Sequence, residues 1–250
     1  MNNITAFDKK TFIEAVILAN KELYTYINTS LSSKDYEYTN TTGFGGDNSL
    51  KMDLLAENIF IKHLEKLGNI YSEECGQLST DKEYTFVIDP LDGSNNFYSK
   101  LPYYGTSVAL QKDGKTIAGF VTNLVSAVLT YKAFDEEVKQ VSLMDLKELE
   151  LKEVGKTKIS IFERAYKYPG ICEKLHENNI KYRCLGAVAL SLSDTRNYDF
   201  VLYAGEIRIF DIAAALYICN SFFIHKTNKF LLICKNKEKF ELIKEFIKEK

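Results

Sequence analysis

The sequence predicts a mixed α+β / α/β protein, and three observations carry that prediction. Two N-terminal segments repeat apolar residues at helical spacing. The middle of the chain has consecutive strand signals around a tight-turn dipeptide. The C-terminal part alternates strand-like and helix-like segments.

In residues 11–27, Phe12, Ile13, Val16, Ile17, Leu23, Tyr24 and Ile27 share one broad face, so a helix is expected. Residues 30–47 are polar and end in Gly43-Phe44-Gly45-Gly46, the composition of a flexible loop. A second helix is expected over 52–67, with Gly68 where a C-cap glycine belongs. The period then changes. Residues 69–72 read as a short strand running into Glu73-Glu74, and 84–88 as a strand ending in Asp89-Pro90. Segments 107–111 and 116–122 flank Asp113-Gly114, a strong hairpin signal, and 127–133 is a further strand. The first half is thus helix, helix, then a mostly antiparallel sheet.

The second half alternates. Strands are expected at 158–162, 182–185, 200–203 and 230–234, and helices at 171–178, 187–194, 211–219 and from Lys237 to the end. Such alternation predicts a sheet covered on both sides. A soft boundary near Glu150, inside 143–156, divides the chain into an α+β half, 1–150, carrying the acidic motifs, and an α/β half, 151–250, completing one shared cleft.

A chain of 250 residues suits one large α/β domain or two packed halves, and a core of that size needs no disulfide staples. The net charge of −2 lacks the basic excess that a nucleic-acid surface requires, so no nucleic-acid partner is expected. Cys75, Cys172, Cys184, Cys219 and Cys234 form no C-x-x-C pair, which argues against zinc and for free thiols in a reducing cytoplasm. Residues 1–10 have no apolar run, so no signal peptide is expected. No apolar stretch is long enough to span a bilayer, and a cytoplasmic protein without a membrane partner is expected.

The most informative segment is Val87-Ile88-Asp89-Pro90-Leu91-Asp92-Gly93-Ser94-Asn95-Asn96-Phe97. A hydrophobic strand ends in an acid, proline breaks the ladder, and a second acid follows three residues on. Two carboxylates so placed, with the Leu91 carbonyl between them, can converge on a small hard cation such as Mg2+. Gly93 permits a tight turn, and 93–96 can open a helix whose free N–H groups face a phosphate. An ordinary Asp-Pro turn followed by Asp-Gly has the same local composition. Other acids add weight. Glu73-Glu74 ends the neighbouring strand and can meet Asp89 at one sheet edge. Asp53, with Glu57 one turn later, opens the second helix, where an acid also suits the dipole. Asp211, between two apolar runs, is either an N-cap or a ligand.

At this point the chain resembles the inositol monophosphatase and archaeal-type fructose-1,6-bisphosphatase superfamily. The resemblance rests on Lys51-Met52-Asp53, Ser72-Glu73-Glu74, the Asp89–Phe97 segment, Leu185-Gly186-Ala187, and Arg208-Ile209-Phe210-Asp211-Ile212-Ala213-Ala214-Ala215. It implies a layered α-β-α-β-α sandwich, the sugar phosphatase fold, and a Mg2+-dependent phosphatase acting on a small sugar or inositol phosphate. It implies two or three Mg2+ ions. Glu73, Asp89 and the Leu91 carbonyl would hold the first, Asp89, Asp92 and Asp211 the second, and Asp53 with Glu73 a weaker third. It assigns water orientation to Glu73 and Ser94, with Asp53 completing the catalytic set. Asp92, Gly93, Ser94, Gly186, Ala187 and Asp211 would bind substrate, and Arg183 and Arg208 could hold a second phosphate or sugar hydroxyls. A homodimer is the family tendency.

The chain also departs from that pattern. Phe210 stands where the family usually has Trp, Ala187 where a Ser is usual, and Ala204 where inositol phosphatases carry Glu, which weakens inositol preference. The family usually continues past the late acid into a glycine pair and a further strand; residues 217–223 have no such glycines, and that region is shortened. Two other readings stay open: a bisphosphate nucleotidase for phosphoadenosine compounds, and a regulatory or scaffold member of the family.

Overall fold

The structure is a computed structural model that describes residues 8–152, 155 and 157–248. Most of the 1–10 segment, three positions of the 143–156 stretch and the last two residues of the final expected helix therefore lie outside the described residues.

In chain order the elements are α1 (Lys9–Thr29), β1 (Tyr38–Thr42), β2 (Asn48–Leu50), α2 (Lys51–Leu64), β3 (Asn69–Ser72), β4 (Gly76–Gln77), β5 (Tyr84–Asp92), α3 (Ser94–Tyr98), β6 (Gly105–Lys112), β7 (Lys115–Asn123), β8 (Val128–Ala133), β9 (Lys139–Ser142) and β10 (Glu148–Leu149). There follow β11 (Ser160–Glu163), α4 (Pro169–Glu177), β12 (Tyr182–Arg183), α5 (Val188–Ser193), β13 (Val201–Ala204), α6 (Ile209–Ile218), β14 (Phe223–Lys226), β15 (Phe230–Cys234) and α7 (Lys237–Phe246).

Two large sheets organise the chain. One has eight strands in the order β10-β9-β8-β7-β6-β5-β3-β4, antiparallel except for the β3–β5 pair. The other has five, in the order β12-β11-β13-β15-β14, with β11 parallel to both neighbours. Alternate side chains fill three cores. Phe86 and Ile88 of β5 pack under α1 and α2 with Phe12, Val16, Met52 and Phe60. Val87, between them, points to the opposite side and joins Ala109, Val121, α5 and α6. Val201 and Tyr203 of β13 complete that middle core, whereas Leu202 faces α4 and α7 with Phe162, Leu175 and Ile243. The layers are therefore helices, sheet, helices, sheet, helices: the α-β-α-β-α sandwich. Both sheets are covered on both faces, which is why β13 and β15 are apolar throughout rather than alternating.

Several expectations change. Strand 84–88 continues through Pro90 to Asp92. Asp89 pairs with Ser107 and Asp92 with Gly105, so three steps on β5 face two on β6, a one-residue bulge that accommodates the proline. The loop expected over 30–47 contains a 3-10 turn at Ser33–Tyr36 and the exposed strand β1, whose threonines favour extended backbone without an apolar signature. Helix α2 ends at Leu64, and Gly68 is not its left-handed cap. A Cβ at Gly68 would lie 3.0 Å from the Phe86 ring and the Tyr84 carbonyl, so glycine is needed there for close approach to β5. The further strand after the late acid exists as β14 without the glycine pair, entered by a turn in which Phe222 N–H bonds Cys219 O at 2.9 Å. The five cysteines are unpaired. Among the described residues no helix is long and apolar enough to cross a membrane.

Helix α6 rests directly on β7. A Cβ at Gly119 would stand 2.3 Å from the Ala214 carbonyl. Gly119→Ala is therefore expected to cost about 1–3 kcal/mol of stability by overpacking. Because α6 carries Asp211, the same variant should bind divalent cations more weakly. Denaturant unfolding and cation titration of wild type and variant check both effects, and unchanged stability would contradict the close approach.

Candidate active site and metal centre

The site forms where strand ends and helix starts converge. β3 runs parallel to β5 in a register that sets Ser72 against Ile88, so the next residues, Glu73 and Asp89, stand side by side. Glu73 N–H donates to Ile88 O at 3.0 Å, which extends the pairing to the acid itself. Beyond Asp89 the bulge redirects the chain, and Leu91 N–H donates to Asp89 Oδ1 at 3.0 Å. Asp211 lies in the first turn of α6. Ser107 Oγ donates to the Phe210 carbonyl at 3.0 Å and ties that helix start to β6. One oxygen each from Glu73, Asp89 and Asp211 lie within 4.8 Å of one another.

Asp92 is oriented differently. Val188 N–H reaches its Oδ1 at 2.8 Å and Leu190 N–H its Oδ2 at 2.9 Å, so the start of α5 grips both oxygens. Asp53 accepts from Leu50 N–H at 2.7 Å at the start of α2. Gly93 has φ 86, and a Cβ there would lie 3.0 Å from Ala187 Cβ. Glycine thus permits both the left-handed turn and the contact with the 186–187 segment. Asp53, Glu73, Asp89, Asp92 and Asp211 are all buried, yet line one cavity of about 330 Å³ together with Leu91, Gly93 and Ser94.

Crowding buried acids is electrostatically costly. Burial first, then neighbouring carboxylates, pushes Asp53 up to about 8 despite its Leu50 hydrogen bond. Burial likewise raises Asp92 to about 8, and Glu73 to about 7 although Arg208 opposes the rise. Asp89 is held well above the ordinary carboxylate range by burial and by Glu73, Asp92 and Asp211. The compensating cation is Arg208. Its Nε and Nη2 bond both oxygens of Asp211 at 3.1 and 3.0 Å, and its Nη1 reaches Glu73 Oε1 at 2.5 Å and Asp47 Oδ2 at 3.1 Å. Burial alone would ease its proton off, but the Asp211 hydrogen bond and the surrounding carboxylates hold it more firmly. The donor set is oxygen only, ionisable and rigidly backed, which fits a hard divalent cation. Any such cation competes with Arg208 for Glu73 Oε1.

The expected residues are therefore largely together, with three differences. Arg208 is engaged by acids rather than open for substrate. Arg183 is exposed, its Nη1 donates to the Tyr182 carbonyl at 2.8 Å, and it does not line the cavity because it sits on the short edge strand β12. Ala187 is buried behind the lining, which is formed there by Gly186 and Val188. Asp211 is not an N-cap, since Arg208 occupies that position. Sequence reasoning missed Glu163 and Arg164, at the end of β11, which also line the cavity. Glu163 is buried, accepts from Gly186 N–H at 2.9 Å and Ser191 Oγ at 2.5 Å, and so holds the loop before α5. Its signal was an acid closing an apolar strand, the same pattern as at Asp89.

The family model described as the inositol monophosphatase family matches residues 8–221. A fructose-1,6-bisphosphatase of Pyrococcus furiosus is 30% identical over 151 residues, 59% of this chain and 56% of that protein. The matched part thus spans little more than half of that relative. A fructose-1,6-bisphosphatase/inositol-1-monophosphatase of Methanocaldococcus jannaschii is 28% identical over 204 residues, 80% of this chain and 79% of its own length. A crystal structure of an inositol monophosphatase-fructose 1,6 bisphosphatase superposes with a TM-score of 0.78 at 21% identity, covering 94% of this chain and 99% of that one, a likeness of fold.

Two outcomes follow from the electrostatics. Asp53, Glu73 and Asp92 titrate near 7–8 in the folded, cation-free protein, against about 4 in an unfolded chain. Between those limits the folded state keeps protons that the unfolded state has released. Their contribution to stability is therefore full below about pH 4 and is lost as pH rises through 7–8. A divalent cation such as Mg2+ would bind the ionised acids, so the rise in Tm on adding Mg2+ should grow between about pH 5 and 8. Scanning fluorimetry in Mg2+ and in chelator reads this directly, and a pH-independent rise would contradict it. Second, Arg208→Gln should lose about 1–3 kcal/mol in chelator. It should also gain more from Mg2+ than wild type does, because the competing guanidinium is gone. Paired melting curves decide.

Proposed function

The chain belongs to the inositol monophosphatase family, and from that premise we propose that it is a Mg2+-dependent phosphomonoesterase hydrolysing a small sugar or inositol phosphate, such as fructose 1,6-bisphosphate or inositol 1-phosphate. The observation that carries this reading is the convergence of Glu73, Asp89 and Asp211 oxygens within 4.8 Å of one another. That convergence lies in the cavity that Asp92 and Ser94 also line. The names of the relatives favour sugar and inositol phosphates over nucleoside bisphosphates.

Phosphate monoesters hydrolyse extremely slowly without help, so the site must supply a large stabilisation. Bound among these acids, two or three Mg2+ ions would supply a hydroxide at neutral pH and screen the charge of the phosphoryl group. Glu73, Asp89, Asp92, Asp211, the Leu91 carbonyl and, for a weaker ion, Asp53 would hold them. Glu73 and Ser94 would orient the attacking water, and Asp53 would keep Glu73 in an acidic surrounding that favours cation loading. The Gly93–Ser94 turn, with Gly186 opposite, would position the phosphate for in-line attack. The α5 N–H groups keep Asp92 in one orientation while it works. The same reading treats 1–150 and 151–250 as halves completing one cleft. It places the protein in the cytoplasm as a homodimer; its unpaired thiols suit a reducing compartment.

Phosphate release from fructose 1,6-bisphosphate and inositol 1-phosphate, each with Mg2+ and with chelator, tests the proposal. Release that survives chelation would sink the metal-dependent reading. Asp89→Asn is expected to lower Mg2+-dependent release by at least about a hundredfold. Burial makes ionised Asp89 unfavourable in the cation-free fold, and Asn keeps an acceptor for Leu91 N–H. The Tm of Asp89→Asn in chelator should therefore be no lower than that of wild type. Full activity in this variant would refute the role given to Asp89.

A further inference from the structure

A second cavity, of about 260 Å³, shares no lining residue with the acidic one. It opens between β7–β9 and the C-terminal end of α5. In these strands alternate residues face opposite layers, so Leu129 and Tyr131 pack under the N-terminal helices while Val121 joins the middle core. The register sets Val121 against Thr130, Asn123 against Val128, and Thr130 against Gln140. These five residues therefore form one patch on the middle-layer face. That face is apolar at Ala109 and Val121, but it turns polar at Asn123, Thr130 and Gln140, where the cavity begins. Part of this polarity is left without a protein partner. Asn123 Oδ1 accepts from Val125 and Ser126 N–H at 3.0 and 2.9 Å, yet its Nδ2 has no partner among the described residues. Gln140 Nε2 donates to Thr130 Oγ1 at 3.0 Å, which leaves Gln140 Oε1 and the Thr130 O–H free among the described residues. On the opposite wall Asp194 accepts from Asn197 Nδ2 at 2.7 Å, and the adjacent buried Arg196 offsets part of its charge. Neither lysine nor arginine lines the space.

We propose that this cavity is a second ligand site, and that it takes one uncharged, hydroxyl-rich molecule about the size of a single sugar ring. Its volume lies just under the ~300–1,000 Å³ usual for small-molecule sites. An apolar occupant would leave Asn123 Nδ2 and Gln140 Oε1 dry and unpaired, which is costly. A phosphorylated or carboxylated one would meet Asp194 with no lysine or arginine on the wall to pair with it. A hydroxyl both donates and accepts, so it matches the free amide hydrogens of Asn123 and the free carbonyl of Gln140 alike. Val121, Val128 and Leu190 supply apolar surface for the C–H face of a ring. Such an occupant would touch residues that also reach the acidic site. Leu190 lines this cavity, and its N–H holds Asp92 Oδ2 at 2.9 Å. Tyr103 lines it too, and its carbonyl accepts from Asn96 Nδ2 at 2.7 Å. The proposal does not depend on the phosphatase reading.

The test follows 1H–15N spectra of the full chain in chelator during titration with glucose. The side-chain amides of Asn123 and Gln140 report on this cavity, and those of Asn95 and Asn96 on the acidic one, so binding at the two places is separable. Glucose should shift the Asn123 and Gln140 amides along one saturable curve, with a Kd on the order of 1–10 mM. Glucuronate, the same ring with a carboxylate, should bind about tenfold more weakly or worse. Thr130→Val keeps the side-chain shape and Gln140→Met roughly keeps the volume. Each should weaken glucose binding about tenfold, read at the Asn123 amide, and the pair guards against one variant misfolding. The assignment is overturned by the absence of a saturable shift at Asn123 and Gln140, or by shifts confined to Asn95 and Asn96. Equal binding of glucuronate, or unchanged glucose binding in both variants, would overturn it as well.

Discussion

The structure depends on one electrostatic constraint: buried carboxylates from distant parts of the chain share a small volume. Two unit charges 4 Å apart at an effective dielectric near 20 repel by about 4 kcal/mol. Glu73, Asp89 and Asp211 approach that separation with little water around them. Such a group persists only if protons or cations neutralise it. Arg208 does so in part, reaching two of the three acids, but it cannot satisfy Asp89 as well, and Asp89 remains far above its ordinary range. A divalent cation would add the missing charge where all three oxygens can reach it.

The rest of the fold makes the acids unable to move apart. Glu73 and Asp89 are held by adjacent parallel strands, whose register is set by Ile70, Phe86 and Ile88 in the core below. Asp53, Asp92 and Asp211 each meet the first turn of a helix, where unpaired N–H groups and the helix dipole offset negative charge. These helices belong to two different layers of the sandwich. Their starts converge because α2 covers one face of the eight-stranded sheet, while α5 and α6 fill the space between the sheets. The small residues Gly119, Ala213 and Ala214 let α6 lie close enough to bring Asp211 in. Glu163 acts at one remove, bonding Gly186 in the loop before α5 and Ser191 within it, and so fixing the helix whose N–H groups hold Asp92.

Much of this was legible in the sequence because the informative features are local. An apolar strand that ends in an acid, a proline and a glycine reads the same alone as in the fold, so Asp89, Asp92 and Gly93 were found. Helical periodicity gave α1 and α2, and Asp113-Gly114 gave the β6–β7 hairpin, with φ 49 and 72 at its two central residues. Exposed or very short strands such as β1, β9 and β10 were missed, since exposed residues or runs of two to four leave no alternation to read. Arg183 and Arg164 show a different limit. Sequence can nominate a basic residue near a glycine turn, but which arginine enters the cavity depends on backbone sign at 164 and on the space beside Gly205. Neither is visible along the chain.

On the phosphatase reading, the same charge distribution imposes an order on binding. Without cations the cavity presents Asp47, Asp53, Glu73, Asp89, Asp92 and Asp211 to an incoming phosphate, and a dianion would be repelled wherever those groups are ionised. Cations must therefore enter first or together with the substrate. Because the free-energy coupling is reciprocal, a bound phosphate should tighten cation binding by the same factor.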